Sequence, residues 1–499
     1  MMTGLPTELE RGLDVLKEYA QGTPWQADLL LYEARMHEII QRMQRFGRSR
    51  DSTHERNEVW DALNRLALEH LNLSFNDLTQ GKRPSPGTAL PQQPPAPPAV
   101  ARVFTMQLSH LADGQLEVRV LDSPMGQAKA VVALPYRPDE LVAVLKALDQ
   151  AGDVRPEQMK LLEALGLLQQ GHGRSDMLEQ VGQHLYQTLF TGDVGTVFTA
   201  TLNQARASGQ GMAIQLRFDD HDANLARFPW ELIHDGRRYL CASQNIEMSR
   251  SISYPEAATL LLVQPPLNLL SVMAQPTDLA PVMLTPNHEP VVALHANDTS
   301  NIFRITTLDS ATGQTLIKQL DRQPVHILHI AAHGVFARQC PITHCGKRHY
   351  PHIERCEVCG SDMRTVQPRG YLALQRDDGR ADWIGSDRLG TLLTGTSVRL
   401  VVLAACSTAA VRDGSLFSGL GQALIEAGIP AVVSMQLRFS LDAADSFTRS
   451  FYPTLARTGS VLAAVRAGRR QLFLGREWFI PVLHMRSQDG DGQLFTPLM

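Results

Sequence analysis

The sequence predicts an α/β protein built on a mostly parallel sheet flanked by helices. Two observations carry that prediction. The runs Val325-His326-Ile327-Leu328-His329-Ile330-Ala331-Ala332 and Leu400-Val401-Val402-Leu403-Ala404-Ala405 are almost continuously apolar, as strands buried on both faces must be. These runs also alternate with helical segments, giving strand Thr259–Val263, helix Thr315–Leu320, strand Val325–Ala332, strand Leu400–Ala405, helix Gly419–Ala427 and strand Ala431–Met435. Such alternation produces parallel strands joined by right-handed crossovers. No internal repeat is found.

Upstream elements follow the same logic. Pro24–Phe46 and Ser52–Leu73 place Leu29, Leu30, Tyr32, Met36, Ile39, Ile40 and Met43, then Val59, Trp60, Leu63, Leu66 and Ala67, at helical spacing. The break from Gly47 to Asp51 makes them an α-hairpin, with Asp51 or Ser52 as the N-cap. Residues 1–80 therefore form a small all-α module. The stretch 81–100 is a proline-rich linker that favours an extended spacer over regular structure. Ala101–Leu134 then alternates and turns like a small β-rich leading segment. Helices at Pro138–Gln150 and Gly182–Phe190 and a strand at Met212–Phe218 complete the approach. Residues 101–499 are read as one domain, interrupted by an insertion at 337–369.

A chain of 499 residues has ample material for such a core, and 43% hydrophobic with 20% charged residues is ordinary for a globular protein. The net charge of −4 offers no global attraction to nucleic acid. No apolar run reaches about 18 residues, so no membrane span is expected, and Met1–Ala20 lacks a signal-peptide core. Six cysteines, four of them clustered, do not form a disulfide framework. The expected setting is a reducing, cytoplasmic one.

Chemistry concentrates where the two apolar runs end. His333-Gly334 follows the first and Cys406-Ser407-Thr408 the second, and residues just past the C-terminal ends of strands lie where open α/β sheets place their ligands. A thiol needs a neighbouring base or a lowered pKa to act as a nucleophile at neutral pH. His333 and Cys406 are 73 residues apart, and removal of the 33-residue insertion leaves about 40, near the roughly 50-residue His-to-Cys spacing of caspases. His326 and His329, three apart in the strand, fall on opposite faces and read as buried, hydrogen-bonded residues.

The chain resembles the CHAT family of caspase-like cysteine peptidases over most of 101–499. The resemblance rests on Ser123-Pro124-Met125-Gly126-Gln127, Phe228-Pro229-Trp230-Glu231-Leu232, His329-Ile330-Ala331-Ala332-His333-Gly334 and Leu403-Ala404-Ala405-Cys406-Ser407-Thr408. It continues through Phe417-Ser418-Gly419-Leu420, Ala427-Gly428-Ile429-Pro430-Ala431-Val432-Val433-Ser434-Met435-Gln436 and Trp478-Phe479-Ile480-Pro481-Val482-Leu483. It implies a caspase-like fold and a catalytic pair of His333 and Cys406. It further implies backbone N–H groups of Gly334 and Cys406 around the oxyanion, and a protein substrate. A role in bacterial stress or antiviral defence is also implied, with cleavage activating a killer such as a gasdermin-like pore former. Ala404-Ala405-Cys406-Ser407-Thr408 departs from the caspase signature, so specificity for Asp is not carried over. Asp413, Asp387 and Asp235 are candidates for an acidic pocket, and each reads better as a solvated loop or cap residue. The helical module is similar to small adaptor domains of bacterial effectors, implying a sensor, an adaptor or a second copy as its partner.

The insertion carries Cys340-x4-Cys345-x10-Cys356-x2-Cys359. Two close cysteine pairs are the pattern of a structural zinc ribbon with four-thiolate coordination. Gly346 and Gly360 follow the second cysteine of each pair, as tight knuckle turns require. His344, His349 and His352 are near enough to replace one thiolate. Cys340 lies seven residues after His333, which predicts that the ribbon emerges beside the pair and shapes or recruits substrate. Two alternatives stay open: a catalytically silent scaffold, and a nucleic-acid-sensing adaptor acting through Arg338, Lys347, Arg348, Arg355 and Arg364 of the ribbon.

Overall fold

The computed structural model describes residues 6–20, 26–46, 50–71, 73–83, 102–111, 114–149, 154–168, 174–219, 225–252, 262–279, 302–308, 310–350, 353–404, 418–486 and 492–497. It divides into two units, Met1–Pro97 and Pro98–Met499.

The first unit is all-α: α1 (Thr7–Ala20), α2 (Gln26–Phe46), α3 (Arg50–Leu71) and α4 (Phe75–Thr79). The first helix was not anticipated, although Leu9, Leu13 and Leu16 form one buried stripe. These pack with Leu29, Met36, Ile39, Leu63, Phe75 and Leu78 into one core. Helix α3 runs from Arg50, so Asp51 and Ser52 lie within its first turn rather than at its cap. The clear cap is Ser74 of α4, whose hydroxyl accepts from the Asp77 N–H at 3.1 Å while the Asp77 carboxylate accepts from the Ser74 N–H at 3.2 Å.

The second unit is built on an eleven-stranded sheet. Its strands, in chain order, are β1 (Arg102–His110), β2 (Gln115–Asp122), β3 (Ala128–Ala133), β4 (Met212–Phe218), β5 (Ile246–Ile252), β6 (Leu267–Met273), β7 (Phe303–Thr307) and β8 (Ile327–Ala331). A second, four-stranded sheet contains β9 (His333–Gln339), β10 (Arg348–His349), β11 (Arg369–Gln375) and β12 (Ala381–Gly385). The chain returns to the large sheet with β13 (Leu400–Leu403), β14 (Ala431–Met435) and β15 (Pro481–Met485). The large sheet runs β3-β2-β1-β4-β5-β15-β14-β13-β8-β6-β7 and the small one β10-β9-β11-β12. Flanking helices are α5 (Pro138–Leu148), α6 (Pro156–Ala164), α7 (Arg174–Leu189), α8 (Gly192–Ala207), α9 (Gly313–Arg322), α10 (Ser386–Leu393), α11 (Ser418–Glu426), α12 (Leu441–Thr458) and α13 (Val461–Gln471).

Three differences from expectation have physical causes. The leading strands β1 to β3 do not form a sheet of their own: β1 pairs in parallel with β4 and extends the large sheet. The expected strand Thr259–Val263 falls largely outside the described residues, and Val263 makes only an isolated bridge to Phe495. The strand in the sheet is β6, whose Asn268 and Ser271 mask the apolar run; Asn268 Nδ2 donates to the Pro324 carbonyl at 2.8 Å. Lastly, two parallel blocks, β1-β4-β5-β15 and β14-β13-β8-β6-β7, run in opposite directions because β14 and β15 pair antiparallel, and β2 and β3 add an antiparallel edge. The starts of β4, β5 and β15 therefore share a rim with the ends of β14, β13 and β8.

At that seam lies a buried charge network. The Glu231 carboxylate pairs with the Arg250 guanidinium and lies 3.5 Å from that of Arg469. Arg469 also donates to the Pro481 carbonyl at 2.8 and 3.0 Å, and Gln436 Nε2 donates to the Phe479 carbonyl at 2.6 Å. Buried ions are tolerable only when so fully hydrogen-bonded. Glu231 of the Phe228-Pro229-Trp230-Glu231-Leu232 motif is thus an internal strut joining β5, β14 and β15.

Candidate functional site

Strands β8 and β13 are parallel neighbours, with Leu400, Val401, Val402 and Leu403 opposite Ile327, Leu328, His329 and Ile330. The pairing is prolonged by the Ala404 N–H, which donates to the Ile330 carbonyl at 3.0 Å. All four β13 side chains are buried, so the register is dictated by burial on both faces. His333 lies three residues beyond Ile330, is buried, and opens β9 at the point where the chain leaves the large sheet for the small one. Gly334 follows it and faces Leu372 of β11. Cys406 lies three residues beyond Leu403 in sequence and outside the described residues, as does Asp413.

The other imidazoles of this strand are structural. His329 is buried, and its Nδ1 lies 2.7 Å from the Tyr452 hydroxyl of α12; burial pushes its pKa down to about 4. The His326 Nδ1 accepts from the Asn268 N–H at 3.0 Å, and half-burial together with Arg399 lowers its pKa. His484 of β15 is likewise held down, at about 3, by burial and by Arg250.

The remaining acidic candidates have local duties. Asp235 Oδ1 accepts from the Arg237 and Arg238 N–H groups, each at 2.9 Å, and so forms a turn. Asp387 pairs with Arg369 at 2.5 Å on the surface.

The insertion springs from the β9–β11 hairpin, and Ala337 and Arg369 are cross-strand partners there. At its far end the thiols of Cys340, Cys345, Cys356 and Cys359 all lie within 4.8 Å of one another. Cys340 and Cys359 are 3.5 Å apart and Cys345 and Cys356 3.6 Å. Four sulfurs around one tetrahedral ion with about 2.3 Å bonds would sit about 3.8 Å apart, so the set can hold a metal ion. Two loops shape it: Gly346 N donates to the Ile342 carbonyl and Gly360 N to the Cys356 carbonyl. Both glycines have positive φ, 51° and 74°, which a side chain would oppose.

Two neighbours flank the cluster, Ser361, which the sequence did not flag, and His349, which it offered as a replacement for one thiolate. The Ser361 hydroxyl lies 3.0 Å from Cys340 Sγ and 3.2 Å from Cys359 Sγ. Hydrogen bonding to Ser361 lowers the Cys359 thiol to about 6. His349, buried, places Nε2 at 3.1 Å from Cys356 Sγ; it lies outside the four sulfurs as a neighbour of one of them. His344 is not part of the cluster, and His352 lies outside the described residues. Two basic residues of the insertion are engaged with the protein itself: Arg348 lies over the Tyr371 and Trp383 rings at 5.7 and 5.0 Å, and Arg364 pairs with Asp362 at 2.6 Å, while Lys347 and Arg355 are exposed.

The second unit is thus an α/β domain whose mostly parallel sheet delivers an imidazole to its rim and whose adjoining hairpin carries a cysteine cluster. The family model for the CHAT domain matches residues 179–482, more than half of the chain. The chain belongs to the CHAT domain family. No curated protein matches it. Among solved structures it is similar to the separase–securin complex of Saccharomyces cerevisiae, at 10% identity and a TM-score of 0.44, covering 77% of this chain and 30% of that one. It is also similar to the Arg-specific cysteine proteinase gingipain R, at 10% identity and a TM-score of 0.34, covering 64% of this chain and 75% of that one. The chain thus spans less than a third of the separase chain it matches. Among the described residues no helix is long and apolar enough to cross a membrane.

Proposed function

We propose that this chain is a cysteine endopeptidase acting through His333 and Cys406. The observation that carries the reading is the register of β8 and β13: each residue of the pair stands three positions past the paired Ile330 and Leu403, on neighbouring strands of one parallel sheet. In the reaction, the Cys406 sulfur forms a bond to the scissile carbonyl carbon and the carbon–nitrogen bond breaks. His333 passes its proton to the departing amine. Water then cleaves the thioester, releasing a carboxylate and restoring the thiol. The backbone N–H groups of Gly334 and Cys406 are assigned to the oxyanion, where fixed donors stabilise developing charge.

Zn2+ held by Cys340, Cys345, Cys356 and Cys359 supplies a structural cross-link, since four thiolates leave no position open to water. Its folding energy suits a segment with little apolar core. The substrate is a protein delivered near the cysteine module, and residues 1–80 dock a sensor, an adaptor or a second copy. From the resemblance, the reaction serves bacterial defence by activating a target such as a gasdermin-like pore former. The engagement of Arg348 and Arg364 with the protein's own side chains weighs against a nucleic-acid role for the module.

The test is cleavage of a peptide library, read by mass spectrometry, by the wild type, Cys406→Ala and His333→Ala. Defined cleavage in the wild type, lost by more than about a thousandfold in both variants with metal content and melting unchanged, supports the assignment. Equal cleavage in the wild type and Cys406→Ala rejects it.

A further inference from the structure

A cavity of about 540 Å3 opens where β4 and β5 begin, far along the sheet from β8 and on the same rim. Its walls come from α8, the turn after Asp235, the segment leading into β5 and the turn after α13. They include Arg206, Arg237, Arg238, Gln244, Tyr239 and Phe473. The charge balance here is opposite to that of the chain, whose net charge is −4. Three guanidinium groups line the cavity, with no carboxylate among the described lining residues. Two acids stand beside the lining: Asp235 pairs with Arg238 at 3.4 Å and spends one oxygen on the turn's N–H groups, and Glu179 lies 4.0 Å from Nδ1 of the lining residue His234. Three guanidinium groups still outnumber the carboxylates beside them, and such a surplus favours phosphate, which guanidinium recognises through paired hydrogen bonds.

The second half of the lining is flat and apolar. The Phe473 ring is 42% exposed although it packs edge-on against Trp478, with centroids 5.5 Å apart, and close to Tyr239. An exposed aromatic face beside arginines suits stacking by a planar ring, and the Gln244 amide adds a donor and an acceptor. The size lies within the range of sites for small organic ligands. We infer that this cavity binds a phosphorylated, ring-bearing small molecule of the nucleotide class, with Arg206 and Arg237 on the phosphate and Phe473 against the ring. The inference is independent of the peptidase reading, because binding is read without any cleavage.

The test is calorimetric titration of the full chain with AMP, ADP, GDP and UDP, with adenosine and inorganic phosphate as the separated halves. At least one nucleotide is expected to bind at least tenfold more tightly than either half. The double variant Arg206→Ala/Arg237→Ala should weaken binding by tenfold or more, and Phe473→Ala by several-fold. These side chains are exposed, so melting should be unchanged; Arg237→Lys, which keeps the charge, should retain part of the affinity. No binding of any nucleotide at millimolar concentration overturns the inference. So does binding that is equal in the double variant, or capture of a phosphopeptide by a chain that ignores nucleotides.

Discussion

Strand β13 buries four consecutive aliphatic side chains, Leu400 to Leu403, within a sheet covered on both faces. Among the described residues, the cysteine module has for its core Cys340, Cys356 and Met363, with Cys345 packed against them. One region is held by area removed from water, the other by a single cluster of sulfurs. The contrast teaches that the two are separable: failure of the sheet must destroy the unit, whereas failure of the cluster should be local.

The largest expected effect comes from breaking the sheet. Val402→Asp leaves a charge without a partner in a fully buried position, costing about 3–5 kcal/mol. Unit 98–499 should lose its cooperative melting transition, with any bound metal released as a consequence. By contrast, Cys356→Ala should abolish metal binding and open residues 340–366 to limited proteolysis, while the main melting transition moves little. If that transition collapses as well, the two regions are one cooperative body and the contrast fails.

A pH series sharpens the difference further. His329 has a folded-state pKa of about 4 against an ordinary value near 6.5, so between those values the unfolded chain binds the extra proton. Stability therefore falls as pH drops from about 6.5 towards 4, and is unaffected by this group above 6.5. The loss amounts to about 3 kcal/mol. In His329→Asn the stability-versus-pH curve should flatten in that window, whatever its level, as chemical denaturation will show. The smallest effect is Ser361→Ala, which removes the hydroxyl beside Cys340 and Cys359. Metal affinity should fall by about 10- to 100-fold, measured by competition with a chelator, with melting of the sheet unaltered.

What could be read from the sequence divides along the same line. Strands β4 and β14 were legible to the residue, and β8 and β13 nearly so, because a strand covered on both faces leaves an apolar run. That the four cysteines gather at one place was legible because two closely spaced pairs are the pattern a metal site would require. Strand β6 was hidden by Asn268 and Ser271, which interrupt its apolar run. The small sheet from β9 to β12 escaped notice because β10 is two residues long and the others are joined across the module. The seam between β14 and β15 could not be read at all, since strand direction depends on pairing rather than on composition. Nor could the arginine-lined cavity, which gathers residues from positions 206 to 473. His333 was found from its place after an apolar run, but its role as first residue of a new sheet was not.

The pairing of Ala337 with Arg369 has a consequence for how such a protein changes over time. The two ends of the module stand as cross-strand neighbours, about 5 Å apart, so the module is attached like a head on a hairpin stalk. A head of another length or chemistry can be exchanged there without altering the reach of either strand, because closing a longer loop between fixed ends adds only a small entropic cost. Strand β9 would still begin at His333 and β11 would still press Gly370 against Leu420 of α11, where a Cβ would come within 2.9 Å. The stalk is thus a point at which new recognition can be acquired by graft while the rim beneath it stays as it is.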